Sequence, residues 1–181
     1  MQTLFVAAVR EELADLEGIA LGVGPLASAV TMAEALAQRR PGRVVLVGSA
    51  GRYASGPPIG AAAVATRVGW GDGAAALGLA YVPRPPEPLN FADEAQFTVR
   101  VLTVPAITRD AELARRLGTD WDLEHLEAYG AALACVRAGV RFTAVLGVAN
   151  DVGPDAHEQW LANRHRAEDA ARRLARSISL R

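Results

Sequence analysis

A chain of 181 residues with 51% apolar and 22% charged side chains has the size and composition of one domain with a substantial core, which excludes disorder as its resting state. A formal net charge of −1 and an isoelectric point near 6.3 leave no basic face for nucleic acid. No apolar run reaches the roughly 20 residues of a membrane span. All 19 basic residues are arginine, so a lysine nucleophile, a Schiff-base lysine and a P-loop lysine are excluded. The lone Cys135 can form no internal disulfide, and no Cys/His cluster suits zinc, so neither a metal nor a cofactor is expected. Without a basic region followed by a long apolar stretch at the N-terminus, no signal peptide is expected, and the expected compartment is the cytoplasm.

Residues 3–9 form an apolar run that predicts a buried strand, and 10–16 a short helix. A second strand is expected at 19–23. Pro25 then suits the first turn of a helix over 26–38, which ends in Arg39-Arg40 with Pro41-Gly42 beyond. Residues 43–47 predict a third strand, leading into a Gly-Ser-Ala-Gly turn at 48–51. Strands follow at 61–68 and 74–82, and the proline-rich stretch 83–90 reads as a loop. The alternation over 97–104 predicts another strand, and 110–117 a short helix. A long helix is expected over 123–138, with Leu126, Tyr129, Ala132, Leu133 and Val136 at helical spacing. A buried strand at 142–148 and a charged helix at 155–180 complete the chain.

Strands separated by helices predict an α/β fold: a three-layer sandwich with a mixed, mainly parallel central sheet. The whole chain, 1–181, reads as a single domain. Ligands of such sheets bind beyond the carboxyl ends of the strands, so polar residues just after strands are the candidates. Gly22-Val-Gly24-Pro-Leu-Ala27 fits a dinucleotide pattern, but it follows the second strand and lacks the acid expected about 20 positions later, so a Gly-rich strand-to-helix turn fits it better. Glu11 and Glu12 follow the first strand, either as acids of a helix first turn or as a carboxylate able to align a water. Glu124 and Glu127 are either solvated helix charges or a carboxylate for a vicinal diol. Asn150-Asp151 follows the last strand, as an Asx turn or as a pair in the crevice. His157 and His165 read as surface residues of the C-terminal helix.

Four stretches together resemble the nucleoside phosphorylase/nucleosidase superfamily: AAVREEL at 7–13, GVGPLASA at 22–29, VGSAGRY at 47–53 and LEHLEAYGAALACVRAGVRFTAVLGVANDVG at 123–153. That superfamily includes methylthioadenosine/S-adenosylhomocysteine nucleosidase, purine nucleoside phosphorylases and futalosine hydrolase. The resemblance implies a purine nucleoside as the small-molecule partner, no cofactor, and a homo-oligomer. It makes Glu12 the glutamate that positions the hydrolytic water. Ser49, Ala50 and Gly51 fall at the turn beside base and sugar. Leu126 stands where Met is usual, and Glu127 matches the ribose-binding glutamate. The catalytic Asp of the adenosine-type enzymes falls on Asn150 in a gapless count, and on Asp151 with a one-residue gap. Ala149 replaces the usual Ser.

Futalosine hydrolases are similar here, with an Asn in that pair, a following Val and Pro, and a Trp ten positions on, as in Asn150, Val152, Pro154 and Trp160. The resemblance therefore implies futalosine hydrolase, which would release hypoxanthine on the way to menaquinone. A methylthioadenosine/S-adenosylhomocysteine nucleosidase, a purine nucleoside phosphorylase and a non-catalytic nucleoside-binding member are the alternatives. Hydrolysis is favoured over phosphorolysis because Leu46 stands where phosphorylases of the family carry a phosphate-binding arginine. Arg10 and Arg52 remain as possible anion ligands. Tyr53, Phe91 and Trp160 are candidates for the far end of the ribose, although core or surface packing suits each better.

Overall fold

The computed structural model describes residues 2–92 and 98–179. The two most apolar runs become the two longest strands, β3 and β8. β3 (Arg43–Arg52) and β8 (Arg141–Asp151) pair in parallel along their whole length. Both are buried on both faces, as strands between two helix layers must be. β1 (Thr3–Ala7) joins the N-terminal half of β3, and β2 (Gly18–Ala20) joins β1, all in parallel. On the other edge of β8 lies β4 (Ala62–Trp70), antiparallel to it. β6 (Thr98–Thr103) runs parallel to β4, and β7 (Leu123–His125) parallel to β6. β7 then pairs with Gly51 and Arg52 of β3. The short β5 (Leu89–Asn90), within the expected loop at 83–90, lies against β4.

The expected three-layer sandwich is thereby corrected in its middle layer. β3, β8, β4, β6 and β7 close on themselves as a five-stranded barrel, and β1 and β2 extend from its wall. The cause lies in β3, whose one edge serves two partners. Residues 43–46 pair with β1, and residues 51–52 pair with β7. A register shift against β8 between Ala50 and Gly51 marks the changeover, as a bulge that re-aims a strand does.

Helices still cover both faces of the β1–β3–β8 wall. α2 (Pro25–Arg39) and α5 (Ala128–Arg137) place Met32, Leu36, Ala132 and Cys135 against Leu4, Val44, Leu46 and Leu146. α6 (Ala156–Ser179) and the one-turn α1 (Arg10–Leu13) press Ala171, Ala175 and Leu13 onto Val45, Val47 and Val145. α4 (Ala111–Leu117), capped by the Asp110 carboxylate on the Leu113 amide at 2.8 Å, adds Leu117 to a third cluster with Tyr53, Leu102 and Val104. Among the described residues, no helix is long and apolar enough to cross a membrane.

Four expected elements differ. Residues 48–51 continue β3 rather than turning, because β8 offers a partner to each of them. Their glycines serve proximity: a Cβ on Gly48 would lie 3.0 Å from a Glu12 carboxylate oxygen, and one on Gly51 2.9 Å from the Asn150 amide. Residues 74–82 form no strand. α3 (Gly73–Ala76) begins there, capped by Asp72 on the Ala75 amide at 2.8 Å. The helix expected over 123–138 splits, because Leu123, Glu124 and His125 pair with Val101, Leu102 and Thr103 before α5 begins at Ala128. The expected second strand shortens to β2, and the expected ends at Phe97 and Leu180 lie outside the described residues.

Gly147 sets how closely α6 seats on the barrel, since a Cβ there would lie 1.9 Å from the Ala167 carbonyl oxygen. Gly147→Ala is expected to cost about 1–3 kcal/mol by overpacking against backbone. Urea unfolding will read this as a lower midpoint at unchanged slope. An unchanged midpoint would contradict the seating of α6 on β8.

Candidate active site

The carboxyl ends of β1, β3, β7 and β8 face one cavity of about 410 Å³. Glu12, Ser49, Ala50, Gly51, Leu126, Glu127 and Asn150 all line it, so the structure brings together every sequence-predicted site residue except Asp151.

Glu12 is buried because α1 starts immediately after β1 and turns its third residue back over the strand end. Its carboxylate is held by main-chain amides. Oε2 accepts from Ala8 at 3.1 Å and Val9 at 3.4 Å, and Oε1 accepts from Ser49 at 3.2 Å. Burial pushes its pKa above the ordinary 4.5, against the opposing pull of those amides. The Arg172 guanidinium of α6 donates to the Glu12 main-chain oxygen at 2.7 Å, which fixes the backbone without neutralising the side chain.

Glu127 sits in the turn between β7 and α5. Its Oε1 accepts from the Gly24 amide at 2.8 Å. Gly24 stands at the N-terminus of α2 with φ of 93°, a left-handed conformation that glycine adopts without strain. The Gly-rich stretch at 22–27 thus orients a carboxylate. Ser28 ties the same two elements, its hydroxyl lying 3.1 Å from the Glu127 main-chain oxygen. Burial raises the Glu127 pKa as well.

Beside Glu127, the Nδ1 atom of His125 accepts from the main-chain amides of Glu127 at 3.1 Å and Ala128 at 3.2 Å. The ring is therefore the neutral tautomer with its proton on Nε2. Desolvation agrees, lowering the His125 pKa to about 4. The 3.3 Å approach of Nδ1 to Glu127 Oε2 is accordingly no ion pair. It is a contact of two acceptors, of which Nδ1 is already filled by the α5 amides and Glu127 Oε2 keeps its lone pairs for a ligand hydroxyl. Glu124, one residue earlier on β7, accepts from Tyr53 Oη at 2.8 Å and the Thr108 amide at 3.0 Å.

Asn150 and Asp151 part company at the end of β8. Asn150 is 7% exposed and lines the cavity. Its amide nitrogen donates once, to the Asp151 main-chain oxygen at 2.9 Å, which leaves a second N–H and the carbonyl oxygen for a ligand. Asp151 takes the opposite side of the strand, with its side chain 50% exposed and paired to Arg52 at 2.6 Å. This corrects the catalytic place expected for Asp151, because successive residues of a strand face opposite ways. Arg52 is occupied by that pair, Arg10 donates to the Gly18 oxygen at 3.0 Å, and neither lines the cavity.

α6 contributes more than its charged sequence suggested. Trp160 lines the cavity and donates its indole N–H to Ser49 Oγ at 3.0 Å. Arg164 lies over the Trp160 ring at 4.9 Å, and His157, exposed as expected, stacks on the same ring at the cavity rim. Glu168 is buried there too, with a pKa raised by burial. Ile107 supplies an exposed apolar lip from the loop after β6. Sequence reasoning passed over Ile107, Arg164 and Glu168. The i, i+4, i+8 spacing of Trp160, Arg164 and Glu168 was the available signal for one helix face. Tyr53 and Phe91 pack in apolar clusters instead. Among the described residues, no three His, Cys, Asp or Glu side chains group as a metal site.

The cavity is acid-rich, lined by Glu11, Glu12, Glu124, Glu127 and Glu168, with Arg164 as the guanidinium at its edge. Leu46, at the position of interest for phosphate, is fully buried in the apolar core.

No family model and no curated protein sequence matches this chain. Solved structures do. A 5′-methylthioadenosine/S-adenosylhomocysteine nucleosidase from Helicobacter pylori aligns with a TM-score of 0.85 at 14% identity, covering 98% of this chain and 97% of that one. A futalosine hydrolase mutant from Helicobacter pylori aligns with a TM-score of 0.86 at 14% identity over 99% of both chains. An S-adenosylhomocysteine nucleosidase from Streptococcus pyogenes, crystallised with 5-methylthiotubericidin, gives 0.81 at 20% identity over 97% and 94%. The resemblance carried by the four sequence stretches is met at the level of the fold: over nearly its whole length, this chain has the fold of the nucleosidases of the nucleoside phosphorylase superfamily.

Proposed function

We propose that this protein hydrolyses the N-glycosidic bond of a purine nucleoside. The observation that carries the reading is the convergence of Glu12, Glu127 and Asn150 on one acid-rich cavity. Glu127, whose Oε1 accepts from one main-chain amide, keeps lone pairs on both oxygens that suit the hydroxyl hydrogens of a ribose diol. Glu12 has spare lone pairs after its amide contacts, and its raised pKa makes it a better base than a solvated carboxylate. It accepts a proton from water, whose oxygen bonds to C1′. The C1′–N9 electron pair leaves with the purine, which takes up a proton from solvent. Asn150 donates its free amide hydrogen to the departing base, and the apolar Ile107 and Leu126 offer surface for its ring.

Hydrolysis is favoured over phosphorolysis by the charges. A phosphate dianion entering beside Glu11, Glu12 and Glu127 would meet repulsion, and Arg10 and Arg52 are engaged elsewhere. The finer reading is futalosine hydrolase. Asn150, rather than an acid, faces the cavity, and an amide donor suits N7 or O6 of a 6-oxopurine. Trp160, ten residues on, lines the same cavity. A methylthioadenosine/S-adenosylhomocysteine nucleosidase is the second reading, favoured by the fold likeness to enzymes of that name. A cytoplasmic setting and a homo-oligomer belong to the same proposal.

Incubation with futalosine, inosine and methylthioadenosine, each with and without phosphate, decides among these readings. Free hypoxanthine from futalosine without phosphate is the expected result. Release of adenine alone selects the second reading, strict phosphate dependence makes the protein a phosphorylase, and binding without release a nucleoside-binding protein. Glu12→Gln is expected to lower kcat by about 10²–10⁴-fold with ligand affinity retained; undiminished turnover in the folded variant would remove Glu12 from the reaction. Asn150→Ala should cost about 10²-fold in kcat, whereas Asp151→Asn, outside the cavity, should change it little. The reverse pattern would reinstate Asp151. Finally, Glu12 must be ionised to accept a proton and its pKa is raised, so kcat/KM should fall on acidification with a midpoint above 4.5. A midpoint at or below that value would contradict the assignment.

A further inference from the structure

His125 is one of the buried polar groups of the cavity to which the proposed reaction gives no role. It is 5% exposed, it lines the cavity, and its Nδ1 is saturated by two main-chain amides at the start of α5. Those amides do two things at once. They fix the ring plane, and they force the single ring proton onto Nε2. Among the described residues Nε2 has no hydrogen-bond partner, and it is not sealed from space as a buried orphan would be. A pre-oriented N–H donor is thus presented to the cavity.

Glu12 lines the same cavity, is an acceptor, and is the charged group that acts on the ring electrostatically. The two make no direct hydrogen bond, so a small oxygen species between them could accept from Nε2 and donate to the Glu12 carboxylate. A water so placed has one proton aimed at its base and one lone pair engaged by the imidazole. Its other lone pair is then restricted to a narrow cone of directions.

We propose that His125 is a positioning residue for hydrolysis, donating its Nε2 hydrogen to the nucleophilic water held by Glu12. It neither gains nor loses a proton in the reaction. The inference rests on the hydrolase reading above, and its test separates the two.

The chemistry of the substitutions allows a clean comparison. In His125→Gln the side-chain amide reaches the Nε2 position and keeps a donor toward the cavity, but it gives up the Nδ1 acceptor. In His125→Asn the shorter amide can still accept from the α5 amides but cannot reach the cavity. A purely structural cap would therefore be rescued by Asn, and a positioning donor by Gln. With the nucleoside that the parent protein cleaves, we expect His125→Asn and His125→Leu to lower kcat by about 10²-fold with KM nearly unchanged. His125→Gln should stay within about tenfold of the parent, and thermal melting will confirm that each variant is folded. Full activity in His125→Asn, or equal loss in Asn and Gln variants that still bind nucleoside, overturns the inference. If one of the two fails to fold, the kcat of the other decides. A parent protein that releases base from none of the three nucleosides instead overturns the hydrolase reading, independently of His125.

Discussion

The cavity is organised by a single constraint: the buried carboxylates of Glu12, Glu124 and Glu127 are solvated by main-chain amides instead of by cations. Ala8, Val9 and Ser49 serve Glu12, Gly24 serves Glu127, and Thr108 serves Glu124 with help from the Tyr53 hydroxyl. An isolated carboxylate in an apolar interior would neutralise itself or unfold the site. An arginine partner would hold it ionised but spend its lone pairs and basicity on an ion pair. Amides stabilise the anion more gently and leave acceptor capacity on each oxygen. Under the proposed reading that is what a base and a diol-binding group require.

Main-chain donors can converge in this way only if strands and helices end together at one place. Parallel pairing of β1, β3 and β8 brings three carboxyl ends side by side. The closure of the barrel through β7 adds Glu124 and His125, which an open sheet would have carried elsewhere. Gly48 and Gly51 then supply the missing volume, so that Glu12 and Asn150 lie directly on strand backbone. The bulge between Ala50 and Gly51 is the geometric link between closure and site, since it lies where β3 changes partners and where Asn150 emerges.

The alternation of apolar runs with amphipathic stretches made most of the strands, most of the helices and the location of the cavity readable in the chain. What misled was context. Leu126, Tyr129, Ala132 and Val136 keep helical spacing, but the preceding three residues obey β6, and pairing across a barrel leaves no local signature. Four small residues at 48–51 look like a turn when their demand for space is set by side chains distant in sequence. Asn150 and Asp151 are adjacent letters that the strand sends to opposite sides, and only register decides which one enters the cavity. α6 reads as a solvated outer helix because its arginines dominate its composition, while Trp160, Arg164 and Glu168 form a narrow stripe that lines the cavity.

Holding so many acids together has a thermodynamic consequence. Glu12 and Glu127 both have pKa values raised by burial, so the folded protein holds their protons more tightly than the unfolded chain does. Their protonated forms favour the fold, and that contribution is present below the ordinary value of 4.5 and is lost as pH rises through the raised values. The ionised state that the proposed chemistry needs is therefore the less stable one. The offset comes from outside the cavity. Arg172 grips the Glu12 main chain at 2.7 Å and approaches Glu168 at 3.9 Å, and α6 is seated by Gly147 and buried alanines against β8. The longest described helix thus acts as a brace: it stabilises the backbone on which Glu12 is mounted, and leaves the Glu12 and Glu127 side chains without a cationic partner.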